Sequence, residues 1–72
     1  MKKFVFRLNG STAPFNMKFI FNEVKKQFPE AKKEEKKVGT FAWDCYISVN
    51  RENEKEAFKM IRGFASQTMY AN

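Results

Sequence analysis

The sequence predicts an α+β fold, a small antiparallel sheet with two helices on one face in the order β-α-β-β-α. Three observations carry this expectation. Apolar residues alternate from Lys2 to Leu8 and again from Phe41 to Val49, the period of a half-buried strand. Two stretches, starting near Asn16 and Asn53, change to steps of three and four, the period of a helix. A chain of 72 residues with 43% apolar content can bury one core but not two, so residues 1–72 are expected to form a single small basic domain.

Taken in order, the first strand places Phe4, Phe6 and Leu8 on one face and Lys3, Val5 and Arg7 on the other, and Asn9-Gly10-Ser11-Thr12 ends it. Met17, Ile20, Phe21, Val24 and Phe28 then form one helical stripe up to the stop at Pro29. Asn16 fits an N-cap; Ser11 or Thr12 would cap an earlier start, with Pro14 in the first turn. Residues 31–38, AKKEEKKV, carry six charges and read as a short, solvated edge strand. Gly39-Thr40 suits a tight hairpin, with Gly39 at the positive φ that a type II′ turn requires. The strand from Phe41 to Val49 follows.

Asn53 and Glu56 have capping-box spacing at the start of the second helix, and Glu52, Glu54 and Glu56 suit its positive end. Ala57, Ile61, Phe64 and Thr68 form its inward stripe, flanked by Met60 and Ala65. Residues 67–72 either extend this helix or add a short final strand. With that strand the arrangement is ferredoxin-like; without it, a truncated version of the same.

The strand core Phe41-Ala42-Trp43-Asp44-Cys45-Tyr46 is similar to the base-stacking strand of RNA-recognition-motif domains, which runs basic, Gly, aromatic, small, aromatic, apolar, any, aromatic. The likeness covers about six residues and fails on phase. Phe41, Trp43, Cys45, Ile47 and Val49 share a face, so the two leading aromatics point with the core residues and not away from them. Asp44 stands where the signature is apolar, and Val38 displaces the basic-Gly pair. Only a β-bulge between Trp43 and Cys45 would return the aromatics to solvent. The expectation is a core strand. Tyr46 is then the one aromatic of the open face, beside Lys3 and Arg7, with Lys33 or Lys37 as further neighbours.

Composition narrows the chemistry. The chain has no histidine, which removes the commonest general base and metal ligand. Cys45 is the only cysteine, so an internal disulfide is excluded, and on the core face it reads as an inert thiol. Gly10, Gly39 and Gly63 are too scattered for a phosphate loop, and no carboxylates cluster as a metal site would require. The expectation is a protein that is not an enzyme and takes no cofactor or metal. The opening MKKFVFRLNG breaks its apolar run at Arg7 and Asn9, and no apolar stretch approaches a membrane span, so a cytoplasmic protein without a membrane partner is expected.

What remains points to binding. The net charge is +6, which favours polyanions or acidic protein surfaces and also keeps a small domain soluble. Lys55, Lys59 and Arg62 recur at helical spacing on the second helix, and Lys18 and Lys25 on the first; side by side, the helices would present one positive layer. Phe19 lies about half a helical turn from the apolar stripe, with Phe15 one turn before it. Either Phe15 belongs to the preceding loop and folds over the core while the Asn9–Pro14 segment covers Phe19, or both are exposed anchors for a protein partner. If no fourth strand forms, Lys2–Leu8 is an open edge through which a homodimer could pair.

Two functions fit. One is a non-catalytic binder that occludes a surface of a protein or nucleoprotein target, using Phe15, Phe19 and the lysines. The other is a small basic nucleic-acid-binding module that contacts phosphates through Lys18, Lys25, Lys55, Lys59 and Arg62, or through the open-face residues Lys3, Arg7 and Tyr46. In size and in its Phe-, Lys- and Asn-rich composition the chain resembles accessory proteins of phages and plasmids, several of which inhibit host enzymes or defence complexes by occupying a surface. That resemblance implies the occluding binder.

Overall fold

The computed structural model describes residues 1–71. Strand β1 (Lys2–Asn9) leads to helix α1 (Ala13–Gln27), the hairpin strands β2 (Lys32–Gly39) and β3 (Ala42–Val49), helix α2 (Glu54–Phe64) and a two-residue strand β4 (Met69–Tyr70). The strands lie in the order β2-β3-β1-β4, every neighbouring pair antiparallel. The result is a four-stranded sheet with two helices, consistent with a ferredoxin-like arrangement. The short final strand forms, and the untruncated version is the correct one.

The phase of β3 decides which side chains enter the core. β1 and β3 pair without a break from Lys2 opposite Val49 to Asn9 opposite Ala42, so no bulge separates Trp43 from Cys45. Phe4, Phe6, Cys45, Ile47 and Val49 are therefore on the helix side, and all are buried. Helix α1 closes on them with Met17, Ile20, Val24 and Phe28, and α2 with Ala57 and Ile61. Each of the Val, Ile, Met and Phe side chains contributes about 1.5–3 kcal/mol on leaving water. Trp43 is half-buried at the margin of this cluster.

Four local expectations need correction. Phe41 is not part of the inward row. Gly39 pairs with Ala42, which leaves Thr40 and Phe41 as the hairpin turn, and the Phe41 ring is 60% exposed beyond the end of the sheet. Gly39 does not adopt a positive φ. The register shift between Lys37 and Gly39 takes up the twist that a type II′ turn would otherwise supply. The Asn53–Glu56 capping box is absent, because the Asn53 amide is used elsewhere. Its Nδ2 donates to Glu30 Oε2 at 2.7 Å, and the Asn50 N–H donates to the same oxygen at 3.3 Å. Glu30 thus ties the α1–β2 loop to the approach to α2. Finally, Phe64 leaves the inward stripe: it is the last residue of α2, beyond Ile61, and 44% exposed.

Helix α1 begins at Ala13, the earlier of the two starts considered. Thr12 occupies the cap position without a side-chain bond, Pro14 fits the first turn, and the Asn16 N–H donates to the Thr12 carbonyl at 3.0 Å. The turn before it needs Gly10, whose φ is +104°. Its N–H donates to the Phe41 carbonyl at 2.7 Å, and its carbonyl accepts from Ala13 N–H. The end of β1, the hairpin tip and the start of α1 therefore meet at one residue.

The fourth strand forms, so the condition under which β1 would offer an open edge for a homodimer is not met over Phe4 and Val5. β1 has β3 on one side and, at Phe4 and Val5, β4 on the other. The long open edge is β2, whose residues 32–37 are KKEEKK, charges of the kind that discourage strand addition.

Two predictions follow from these joints. Gly10→Ala forces a Cβ onto a left-handed backbone and should cost about 1 kcal/mol, lowering the melting temperature by roughly 4–8 °C in a thermal scan. The Glu30 carboxylate, hydrogen-bonded by Asn53, by its own backbone N–H and by Asn50, is held below its ordinary pKa. A carboxylate depressed on folding stabilises above its unfolded pKa and loses that contribution as pH falls through the folded value. Acid titration should therefore destabilise the wild type below about pH 4.5, and a Glu30→Gln variant should show less of that slope.

Candidate functional site

Three surfaces collect the residues singled out from the sequence. The first is an aromatic cluster across the two helices. Phe15 and Phe19 both lie on α1, 74% and 52% exposed, and the Asn9–Pro14 segment does not cover them. Phe19 instead meets Phe64 of α2 edge-on, ring centroids 6.0 Å apart. Sequence reasoning missed Phe64 because its spacing from Ala57 and Ile61 matches the inward stripe. The signal against that assignment was its place as the last residue of the helix, beyond Ile61, where the ring is free to reach Phe19 of α1.

The second surface is the outer flank of α2. Lys55, Lys59 and Arg62 come together around a shallow groove of about 510 Å³, which Phe58, Gly63 and Ser66 complete. Phe58 is half-buried and stacks on Phe4 with centroids 5.4 Å apart, and on Tyr70 at 4.5 Å. The Arg62 guanidinium lies 5.4 Å from the centre of the Phe58 ring and donates from Nε and Nη2 to the Ser66 carbonyl, both at 3.3 Å. Among the described residues no carboxylate is in ion-pairing contact with Lys55, Lys59 or Arg62. Glu54, adjacent to Lys55, lies near the Tyr70 phenol, and burial and the neighbouring carboxylate raise that phenol's pKa. The Phe58–Arg62 pairing was legible as an i, i+4 spacing.

Lys18 and Lys25 do not join this flank. They lie about 100–120° around α1 from Phe19, on the side away from α2. Lys25 sits with Lys33 over Phe21, each ammonium 5.5 Å from the ring centre. The continuous positive layer expected over both helices is therefore split into two separate flanks.

The third surface is the open sheet face. The register places Lys3 beside Ser48, Val5 beside Tyr46 and Arg7 beside Asp44, so Lys3, Arg7 and Tyr46 are neighbours. The Lys3 ammonium lies 5.8 Å from the centre of the Tyr46 ring. Arg7 forms a two-pronged pair with Asp44, Nε to Oδ1 at 2.7 Å and Nη2 to Oδ2 at 3.2 Å. That bond and the attraction behind it hold the Asp44 carboxyl below its ordinary pKa and commit the Arg7 charge. Lys33 and Lys37 are absent from this face. They oppose Ile47 and Trp43 and point to the helix side, where Lys37 lies over the Trp43 ring at 5.5 Å. Lys32, Glu34 and Lys36 take their place opposite Ser48, Tyr46 and Asp44.

Among the described residues no group of three or more His, Cys, Asp or Glu side chains could hold a metal ion. No helix is long and apolar enough to cross a membrane. Cys45 is fully buried, and burial pushes its thiol up to about 12. No protein-family model, curated protein or solved structure matches the chain.

The Cys45 thiol should resist alkylation by a maleimide at pH 8 in the folded protein and react fully once denaturant unfolds it. Rapid labelling of native protein, read by intact mass, would contradict its burial.

Proposed function

We propose that this protein is a non-catalytic binder that occludes a surface of a protein or nucleoprotein target, in the manner of a phage- or plasmid-borne inhibitor of a host or defence system. The observation that carries the reading is the cluster of Phe15, Phe19 and Phe64, three large aromatic side chains exposed on neighbouring helices. Scattered apolar residues on a surface are ordinary; rings grouped on a rigid helical pair are the kind of side chain that anchors interfaces. Phe15 and Phe19 project from a helix whose opposite face fills the core, so the rings are held in position before binding and little ordering cost remains.

The non-catalytic part of the proposal is supported by the chemistry at hand. The sequence contains no histidine, the one thiol is buried and protonated, and the acids are largely taken up in ion pairs, loop bonds or helix-start positions. The phage or plasmid setting rests on likeness of size and composition alone.

Affinity capture from a lysate of the source cell or its host, with wild type, Phe19→Ala and the double variant Phe15→Ala/Phe19→Ala, tests this. The expected result is one partner retained by wild type and lost with the alanine variants. Their unfolding free energies should fall by no more than the edge contact is worth, about 0.5–1.5 kcal/mol. A partner held equally by all three forms, or a large stability loss in Phe19→Ala, would return these rings to a structural role.

A further inference from the structure

The flank of α2 carries a site of a different kind, and we infer that it seats the phosphodiester backbone of a nucleic acid without reading its sequence. Lys55, Lys59 and Arg62 fall within an arc of about 60° on the helix and along a rise of about 10 Å. That is close to three phosphate steps at 3.4 Å per strand. The three cations have no carboxylate partner among the described residues, whereas Arg7, Lys26 and Lys33 each have one. Arg62 is fixed by the Ser66 carbonyl and the Phe58 ring, and its Nη1 hydrogens do not take part in those bonds. The guanidinium is thus pre-oriented before a ligand arrives.

Gly63 supplies a second, independent observation. It is the penultimate residue of α2, two before the C-cap Ala65, with no positive φ, and a Cβ there would meet nothing within 4 Å. Neither the backbone nor the packing asks for glycine, and glycine weakens a helix relative to alanine. What the missing side chain provides is room in the groove between Lys59, Arg62 and Ser66.

An acidic polypeptide is the rival occupant, and the distribution of apolar surface argues against it. Protein interfaces are dominated by exposed aromatic anchors, and Phe15, Phe19 and Phe64 are on the other side of α2, whereas the groove side has one exposed ring next to it, Tyr70, 43% exposed and stacked on Phe58. The groove offers only the half-buried Phe58, already covered by Arg62. Three cations without carboxylate partners, spaced along the helix like successive phosphates, fit a ligand that carries a row of negative charges. This site does not depend on the aromatic cluster, so Phe19→Ala should leave it unchanged.

The test is fluorescence anisotropy of the full chain with 20-nucleotide DNA and RNA probes, single- and double-stranded, from 50 to 200 mM salt, with poly-glutamate as competitor. Three neutralised phosphates give a salt slope of about 2.7 on duplex DNA and about 2.1 on a single strand. Lys55→Glu/Lys59→Glu, two exposed positions, should weaken binding at least tenfold and cut the slope by about 2. Gly63→Ala should raise the melting temperature by a few degrees. Gly63→Glu should abolish binding without lowering the melting temperature, a combination that a structural role for Gly63 would not produce. Lys18→Glu/Lys25→Glu, on the far flank, should change affinity by less than the α2 pair. No binding at 50 mM salt, wild-type affinity in Gly63→Glu, or displacement by poly-glutamate at equal charge would each overturn the assignment.

Discussion

The ring of Phe4 joins the parts of this small domain that are furthest apart in sequence. It sits on β1 between β3 and β4, fully buried, opposite Ile47 on one side and Tyr70 on the other. Its face stacks on Phe58 of α2, and Tyr70 packs against both rings. The central strand, the second helix and the C-terminal strand are thereby held around one aromatic contact. The orientation of α2 follows from it, and with it the placement of Lys55, Lys59 and Arg62 on the solvent side of Phe58. A domain this short has one core and little redundancy, so a contact of this kind sets both the fold and the surface it presents.

The nine phenylalanines divide according to that single core. Phe4, Phe6 and Phe28 fill it, Phe21 and Phe58 pack at its margin, and Phe15, Phe19, Phe41 and Phe64 are exposed. A two-layer fold buries one face of the sheet and one stripe of each helix. A helix with apolar residues on more than one side must leave some of them in water, as α1 does with Phe15 and Phe19 while Met17, Ile20 and Val24 are buried. The excess is concentrated where the two helices meet, which is what turns a surplus of aromatics into a candidate interface.

Charge is divided in the same way. Several acids are committed locally: Asp44 to Arg7, Glu23 to Lys26 and Glu30 to the Asn50–Asn53 segment. Among the cations outside these pairs, Lys18 and Lys25 lie on the α1 flank beside β2, and Lys55, Lys59 and Arg62 lie on the outer flank of α2. The aromatic cluster lies between the helices and separate from the α2 groove. The two proposed contacts are thus compatible with one target that has both protein and nucleic acid components, because neither surface obstructs the other.

Much of this was legible in the residues themselves. Alternation in Phe4-Val5-Phe6 and Cys45-Tyr46-Ile47 assigned the inward faces of β1 and β3 without further information, because side chains in a strand alternate whatever the strand pairs with. The stripe from Met17 to Phe28, the charged edge strand and the i, i+4, i+7 spacing of Lys55, Lys59 and Arg62 are likewise local periodicities. What periodicity cannot carry is the neighbour across the fold. Whether Phe64 meets the sheet or Phe19, whether Asn53 caps its own helix or bonds Glu30, and whether Lys33 and Lys37 point to the open face or the helices all depend on packing and register. The fourth strand and the groove around Gly63 belong to the same class, since both arise only when α2 is seated on Phe4. Strand alternation and helical period set which residues share a face; which faces meet is a matter of packing, because that choice rests on contacts between residues distant in the chain.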